Sequence, residues 1–143
     1  MSSSPNIRQA VPFFMVRDME TSLKFYTEKL GFAITNQWIP RGKIEWCWLE
    51  REGASLMLQE PRDKKNLDPA DSLGNGISIC FQCVDALALY HEFTAKGVVI
   101  KEPVVGNKMW VVAFADPDRY KLDFESPTDV PEETKLSEWV NPV

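Results

Sequence analysis

The chain repeats itself at an offset of about 66 residues, and a duplication constrains the fold more tightly than any single motif. Ala54-Ser55-Leu56-Met57-Leu58-Gln59-Glu60-Pro61 aligns with Tyr120-Lys121-Leu122-Asp123-Phe124-Glu125-Ser126-Pro127. At nearly the same offset Asp18 matches Asp85 and Gly31 matches Gly97. Periods of roughly 20–50 residues build stacked solenoids. One repeat of this length instead predicts two similar modules packed side by side. Paired modules can enclose a concave surface, which is where small molecules bind.

Each half carries the same order of elements. Ala10–Val16 is a short apolar run rich in β-formers and predicts a buried strand. Asp18 then caps a predicted helix, Glu20–Lys29, whose apolar stripe includes Leu23, Tyr26 and Leu30 and which Gly31 ends. Three strands follow: Phe32–Trp38, Ile44–Glu50 and Ala54–Gln59, with turns at Arg41-Gly42 and Glu52-Gly53. Pro61–Asn75 is polar and is the expected linker. The second half runs through a strand Ile77–Cys83, a helix Ala86–Lys96 closed by Gly97, and strands Val98–Lys101, Met109–Phe114 and Lys121–Glu125. Asp116-Pro117-Asp118 makes the last hairpin turn, and the tail contains a short helical stretch, Glu132–Val140, between Pro131 and Pro142.

At 44% hydrophobic and 26% charged residues over 143 positions, the chain can bury a core without disulfides. A net charge of −5 argues against nucleic acid or an anionic membrane as partner and is compatible with a neutral or cationic ligand. No apolar run reaches the roughly 18 residues of a membrane span. The polar start Met1-Ser2-Ser3-Ser4-Pro5 is unlike a secretory signal, and three cysteines make an odd count unlike a disulfide framework. The expected location is the cytoplasm.

A βαβββ module occurring twice resembles the vicinal oxygen chelate superfamily, which includes glyoxalase I, extradiol dioxygenases, and fosfomycin and bleomycin resistance proteins. The resemblance rests on Val16-Arg17-Asp18-Met19-Glu20-Thr21-Ser22-Leu23-Lys24-Phe25-Tyr26, on Lys29-Leu30-Gly31-Phe32, and on Asp116-Pro117-Asp118 leading into Leu122-Asp123-Phe124. Arg119 stands where the family usually has glycine. The resemblance implies an α+β fold in which two βαβββ modules form a curved mixed sheet with a concave cleft. It implies one domain over 8–127, made of modules 8–61 and 76–127, followed by a tail over 128–143. It also implies a homodimer, because bleomycin resistance proteins build their pockets at the dimer interface.

Side chains alternate faces along a strand, so one anchor fixes each strand. With Leu122 and Phe124 on the helix-covered face, Lys121, Asp123 and Glu125 face the cleft. The repeat carries this to Ser55, Met57 and Gln59, and Ile77, Ile79 and Phe81 leave Ser78, Cys80 and Gln82 facing the cleft. Family alignment assigns Val11, Phe13 and Met15 to the same face. Trp46 and Trp48 are two apart on one strand, near Trp38, and Trp110 occupies the corresponding region of the second half. These indoles either fill an interface or line a pocket that stacks a planar, cationic ligand, with Asp123 and Glu125 as counter-charge.

Metal-using relatives place one ligand on each of four strands, and those positions fall on Val11, Met57, Ser78 and Asp123. Only Asp123 binds a divalent ion well. A slide of two residues brings in Gln9, Gln59, Cys80 and Glu125, with weak donors and no histidine. The sole histidine, His91, falls on the second helix. Cys80 and Cys83 match C-x-x-C spacing, but three residues apart on a strand they point to opposite faces. The expectation is therefore no metal and no cofactor. The expected function is a metal-free small-molecule binding protein that sequesters an aromatic or cationic compound such as an antibiotic. Its ligand-binding residues would be Phe13, Trp38, Trp46, Trp48, Met57, Gln59, Ser78, Cys80, Trp110, Asp123 and Glu125, with no catalytic residue assigned. The alternative is a metal-dependent lyase or dioxygenase of the glyoxalase type.

Overall fold

The structure, a computed structural model, describes residues 5–64, 67 and 73–139. Parts of the expected linker and the end of the expected tail helix lie outside these residues. Among the described residues the main elements are two four-stranded mixed sheets and two helices. The first sheet is ordered β1-β4-β3-β2, from Phe13–Met15 (β1), Ala33–Trp38 (β2), Trp46–Arg51 (β3) and Ala54–Gln59 (β4). The second is ordered β5-β8-β7-β6, from Ser78–Gln82 (β5), Val104–Gly106 (β6), Met109–Ala115 (β7) and Lys121–Pro127 (β8). In each sheet the strand before the helix pairs parallel with the last strand of its module. This is the α+β class of two βαβββ modules, with the strands divided between two sheets rather than joined in one ladder.

Several boundaries differ from the sequence expectation for physical reasons. The run Ala10–Val16 shortens to β1 because Pro12 has no N–H to give; its carbonyl only accepts from Met57 N, at 2.9 Å. The first helix is α-helical only over Met19–Lys24 (α1) and widens to a π-helical turn over Phe25–Lys29. Gly31 (φ +78°) then lets Phe32 N reach back to Tyr26 O at 2.9 Å. The second helix, Ala86–Ala95 (α2), starts as expected, with Asp85 accepting from Ala88 N at 3.1 Å.

Val98–Lys101 forms no strand: Val99 is almost fully exposed, and β6 begins only beyond the buried Pro103. No helix forms in the described part of Glu132–Val140. That segment instead runs beside β6, with Val105 N bonded to Thr134 O and Glu133 N to Val105 O, and a bridge pairs Val104 with Lys135. An open strand edge offers unpaired backbone groups, and satisfying them outweighs a short local helix.

One core spans both modules. Phe14, Leu56 and Leu58 of the first sheet join Leu122, Phe124 and Val112 of the second, together with Tyr26, Leu30 and Phe93 from the helices. Ring contacts cross the boundary: Phe14 stacks on Tyr120 at 4.1 Å, and Phe25 meets Phe114 edge-on at 6.2 Å. The Asp116-Pro117-Asp118 turn adds polar bonds to the first module. Tyr26 Oη donates to Asp116 Oδ2 at 2.7 Å, and Arg17 donates to Asp118 Oδ1 from its backbone N at 3.2 Å and from Nη1 at 3.1 Å. Tyr120 Oη donates to Met15 O at 2.9 Å. A second clamp joins Arg51 to Glu92 at 2.7 and 3.0 Å. Arg119 takes φ +72° in the same turn, a left-handed conformation that costs an ordinary residue about 1 kcal/mol.

Burial pushes the Asp116 carboxyl up to about 6, against the donors that favour its charged form. The fold therefore prefers the protonated acid, and this contribution to stability is lost as pH rises through about 6. Glu45, Glu60 and Glu92 shift the opposite way, so their contributions fade only below the ordinary carboxylate range. Urea denaturation should find the protein more stable by about 1 kcal/mol at about pH 5.5 than at about pH 7.5. In Asp116→Asn that gain should vanish; an unchanged gain would assign it to another group.

Candidate functional site

Strand register places the expected side chains in two separate groups. On the first sheet, Phe13 lies beside Met57 and Met57 beside Trp48, while Gln59 lies beside Trp46 and Trp46 beside Trp38. Their neighbours Phe14, Cys47, Leu49, Leu56 and Leu58 are buried on the helix-covered face. The aromatic row therefore occupies the opposite face, with Phe13 46% and Trp38 49% exposed. Trp46 and Trp48 between them are partly buried, and a continuous apolar face of this kind is unusual on a surface with no role. Trp48 Nε1 is held by Glu50 Oε2 at 2.8 Å, which fixes that indole's orientation.

On the second sheet, Ser78 lies beside Lys121, Cys80 beside Asp123, and Gln82 beside Glu125. Gln82 Nε2 donates to Glu125 Oε1 at 2.8 Å, and Cys80 Sγ sits 3.9 Å from Asp123 Oδ2. Partial burial, and then the nearby Glu125, raise the Asp123 carboxyl above the usual range. Burial and both carboxylates raise the Cys80 thiol in the same way, keeping it protonated at neutral pH. No ladder, hydrogen bond or ring contact among the described residues joins this group to the aromatic row.

Trp110 belongs to neither group. It pairs with Ser126, whose hydroxyl accepts from Ala86 N at the start of α2, so it lies on the helix-covered face. It is 4% exposed and packs at 5.7 Å against Trp139 of the tail. Both faces of β7 are apolar, so its phase cannot be read from alternation.

Two cavities stand out. One, of about 770 Å³, lies between β5, α2, the β3–β4 turn and residues 9–12. Phe32, Phe81, Leu89 and Phe124 line its interior, and of the expected ligand-binding residues only Cys80 reaches it. The other, of about 400 Å³, sits at the end of β3 and β4 next to the aromatic row. It gathers Arg41, Lys43, Arg62 and Lys64 around Glu45 and Glu60. Sequence reasoning missed this cluster. The one signal was the pair of basic doublets flanking the two strands, Arg41/Lys43 and Arg62/Lys64.

Residues 8–124 match the profile of the Glyoxalase/Bleomycin resistance protein/Dioxygenase superfamily. The chain belongs to this superfamily. Among curated relatives, a lactoylglutathione lyase of Schizosaccharomyces pombe is 28% identical over 85% of this chain. The match spans 48% of that longer protein, so the chain covers about half of it. Among solved structures, TnmS3, an antibiotic binding protein from Streptomyces sp. CB03234, superposes with a TM-score of 0.64 at 23% identity, covering 87% of this chain and 100% of that one. A bleomycin-binding protein complexed with bleomycin gives 0.62 at 22% identity, covering 86% and 99%. At these identities the likeness establishes the shared fold.

A glyoxalase-type enzyme implies a divalent ion, and the residues expected at the ligand positions do not fit one. Val11, Met57 and Ser78 bring no carboxylate or imidazole, which leaves Asp123 as the single strong donor. The other grouping among the described residues is Cys80, Asp123 and Glu125, whose donor atoms lie within 4.8 Å of one another. It offers two carboxylates and a thiol that resists losing its proton. Binding an ion there would have to displace that proton, which lowers affinity.

Proposed function

We propose that this protein binds a small, largely aromatic or cationic molecule, such as an antibiotic, without a metal and without transforming it. The observation that carries the reading is the row of Phe13, Met57, Trp48, Trp46 and Trp38 on the face opposite the helices, half-exposed at Phe13 and Trp38 and partly buried between them. Flat aromatic surface of this extent suits stacking of a planar ligand, and indole faces attract cations. Two of the fold relatives are antibiotic-binding and bleomycin-binding proteins. Asp123 and Glu125 supply the counter-charge for a cationic group.

The aromatic row and the carboxylates lie on different sheets, so the pocket is completed in a homodimer, where the first sheet of one copy meets the second sheet of its partner. Exposed Ile34, Trp38 and Ile39 beside the open edge of β2 favour such pairing. Light scattering at micromolar concentration should give twice the 16.3 kDa chain mass; the single mass would remove the shared pocket.

An aromatic cation should quench tryptophan fluorescence saturably. Asp123→Asn should weaken that binding by about 1–3 kcal/mol, the usual loss for a charged hydrogen-bond partner. A neutral aromatic should be affected much less, and folding should be nearly unchanged, because a partly solvated carboxylate contributes little to stability. If Asp123→Asn unfolds the chain, or leaves both ligands bound as before, Asp123 is structural.

The Cys80, Asp123 and Glu125 grouping favours a second reading, a metal-dependent lyase or dioxygenase. Elemental analysis of protein purified without chelators decides between the two. The binding reading expects no stoichiometric zinc, nickel, iron or manganese, and about one ion per chain would replace it with the enzyme.

A further inference from the structure

The cavity at the end of β3 and β4 gathers four basic side chains in a chain of net charge −5. Four like charges repel, and something must hold them together. Glu45 and Glu60 do so from below, with side chains only 8% and 5% exposed. Glu45 accepts from Arg62 Nε at 2.8 Å and faces Arg41 Nη2 at 3.3 Å. Glu60 takes Lys43 and, at 3.2 Å, Lys64, and its other oxygen accepts from Met19 N at 2.6 Å.

The carboxylates thus face inward while the cationic ends stay about half exposed, at 56%, 58%, 54% and 46% for Arg41, Lys43, Arg62 and Lys64. Four cations face two buried carboxylates, and Asp18 adds a weaker negative influence on Lys43, so a local surplus of positive charge remains around about 400 Å³. The Arg62 guanidinium also lies over the Trp38 ring, 5.6 Å from its centroid, which limits its motion. Long basic side chains ordinarily lose rotamer freedom when they converge on an anion; here folding has already brought them together.

We propose that this cavity is an oxyanion-binding site, taking a phosphate, sulfate or carboxylate group between the guanidinium and ammonium donors of Arg41, Lys43, Arg62 and Lys64. The site stands apart from the aromatic-face reading, since it needs neither the dimer nor Asp123. Trp38 joins the two regions, so an anion could arrive free or as a substituent of an aromatic ligand.

Inorganic phosphate titrated against chloride at matched ionic strength tests the site in the intact protein. The indole N–H resonance of Trp38 should shift saturably with phosphate, with a dissociation constant of about 1 mM. Arg41→Gln and Lys64→Gln each leave their carboxylate one cation, and each should weaken phosphate binding about fivefold. Lys108→Gln, in the β6–β7 turn of the other sheet, should not. Thermal melts check folding; if a glutamine variant melts early, Arg41→Lys and Lys64→Arg keep the charge and should bind within about twofold of the parent. The proposal is overturned by a phosphate response no larger than that of chloride, or by glutamine variants that fold and bind like the parent. A comparison with 1-naphthyl phosphate separates the sources. Binding about tenfold tighter than inorganic phosphate, lost in Trp38→Leu, assigns the anion to an aromatic ligand. Equal affinity assigns the site to free oxyanions. Loss of aromatic-cation binding with phosphate binding retained would sink the functional reading and leave this one standing.

Discussion

The interaction on which the rest depends is the grip of one hairpin turn on the first helix. Asp116 and Asp118 are nearly buried, at 4% exposure each, and buried carboxylates survive only when donors surround them. Asp116 takes Tyr26 Oη together with the backbone N–H groups of Asp118 and Tyr120; Asp118 takes Arg17 twice and Ser22 Oγ at 3.4 Å. The turn's own N–H groups satisfy Asp116 only in part, and Tyr26, Arg17 and Ser22 of the first module supply the remaining donors to the two carboxylates, so the second half does not satisfy these groups alone. Removing one partner of such a set leaves the other desolvated and unpaired, which costs more than the bond itself contributes. The π-helical turn that includes Tyr26 belongs to the same arrangement, because the backbone widens where that ring is seated at the core.

Much of the fold was legible because period-2 alternation survives in single strands. Ala54–Gln59 has the bounds read from the sequence, and Leu56 and Leu58 are buried while Ser55, Met57 and Gln59 are not. The phases of β5 and β8 follow the same rule, as does the pairing of Trp46 with Trp38 across adjacent strands. Where alternation fails, the reading failed with it. Met109–Ala115 is apolar on both sides, so nothing local reveals that Trp110 turns toward Ser126. A π turn uses the residues an α-helix would use, and no spacing betrays it. The tail's helical pattern lost to a partner elsewhere in the chain, the open edge of β6.

The candidate site was legible in its strands and not in its loops. Strand residues inherit their neighbours from register, whereas Arg41, Lys43, Arg62 and Lys64 converge only because two carboxylates at strand ends are buried together. Nothing local in the sequence marks Glu45 and Glu60 as buried. Their real surroundings come from Met19 N at the start of α1 and from the Glu60 N to Glu45 O bond at 2.9 Å, neither of which is local.

The contact between Trp110 and Trp139 makes the two halves of this duplication unequal. The second module borrows a ring from the tail to finish its inner face, and the first module has no such addition among the described residues. A gene duplication begins with interchangeable copies, and interchangeable copies can swap places, pair with themselves or drop out. Once one copy depends on sequence appended beyond it, the order of the halves along the chain is no longer arbitrary. The tail thus acts as a polarity mark: it completes the inner face of the second half alone, while the first half keeps its aromatic face open.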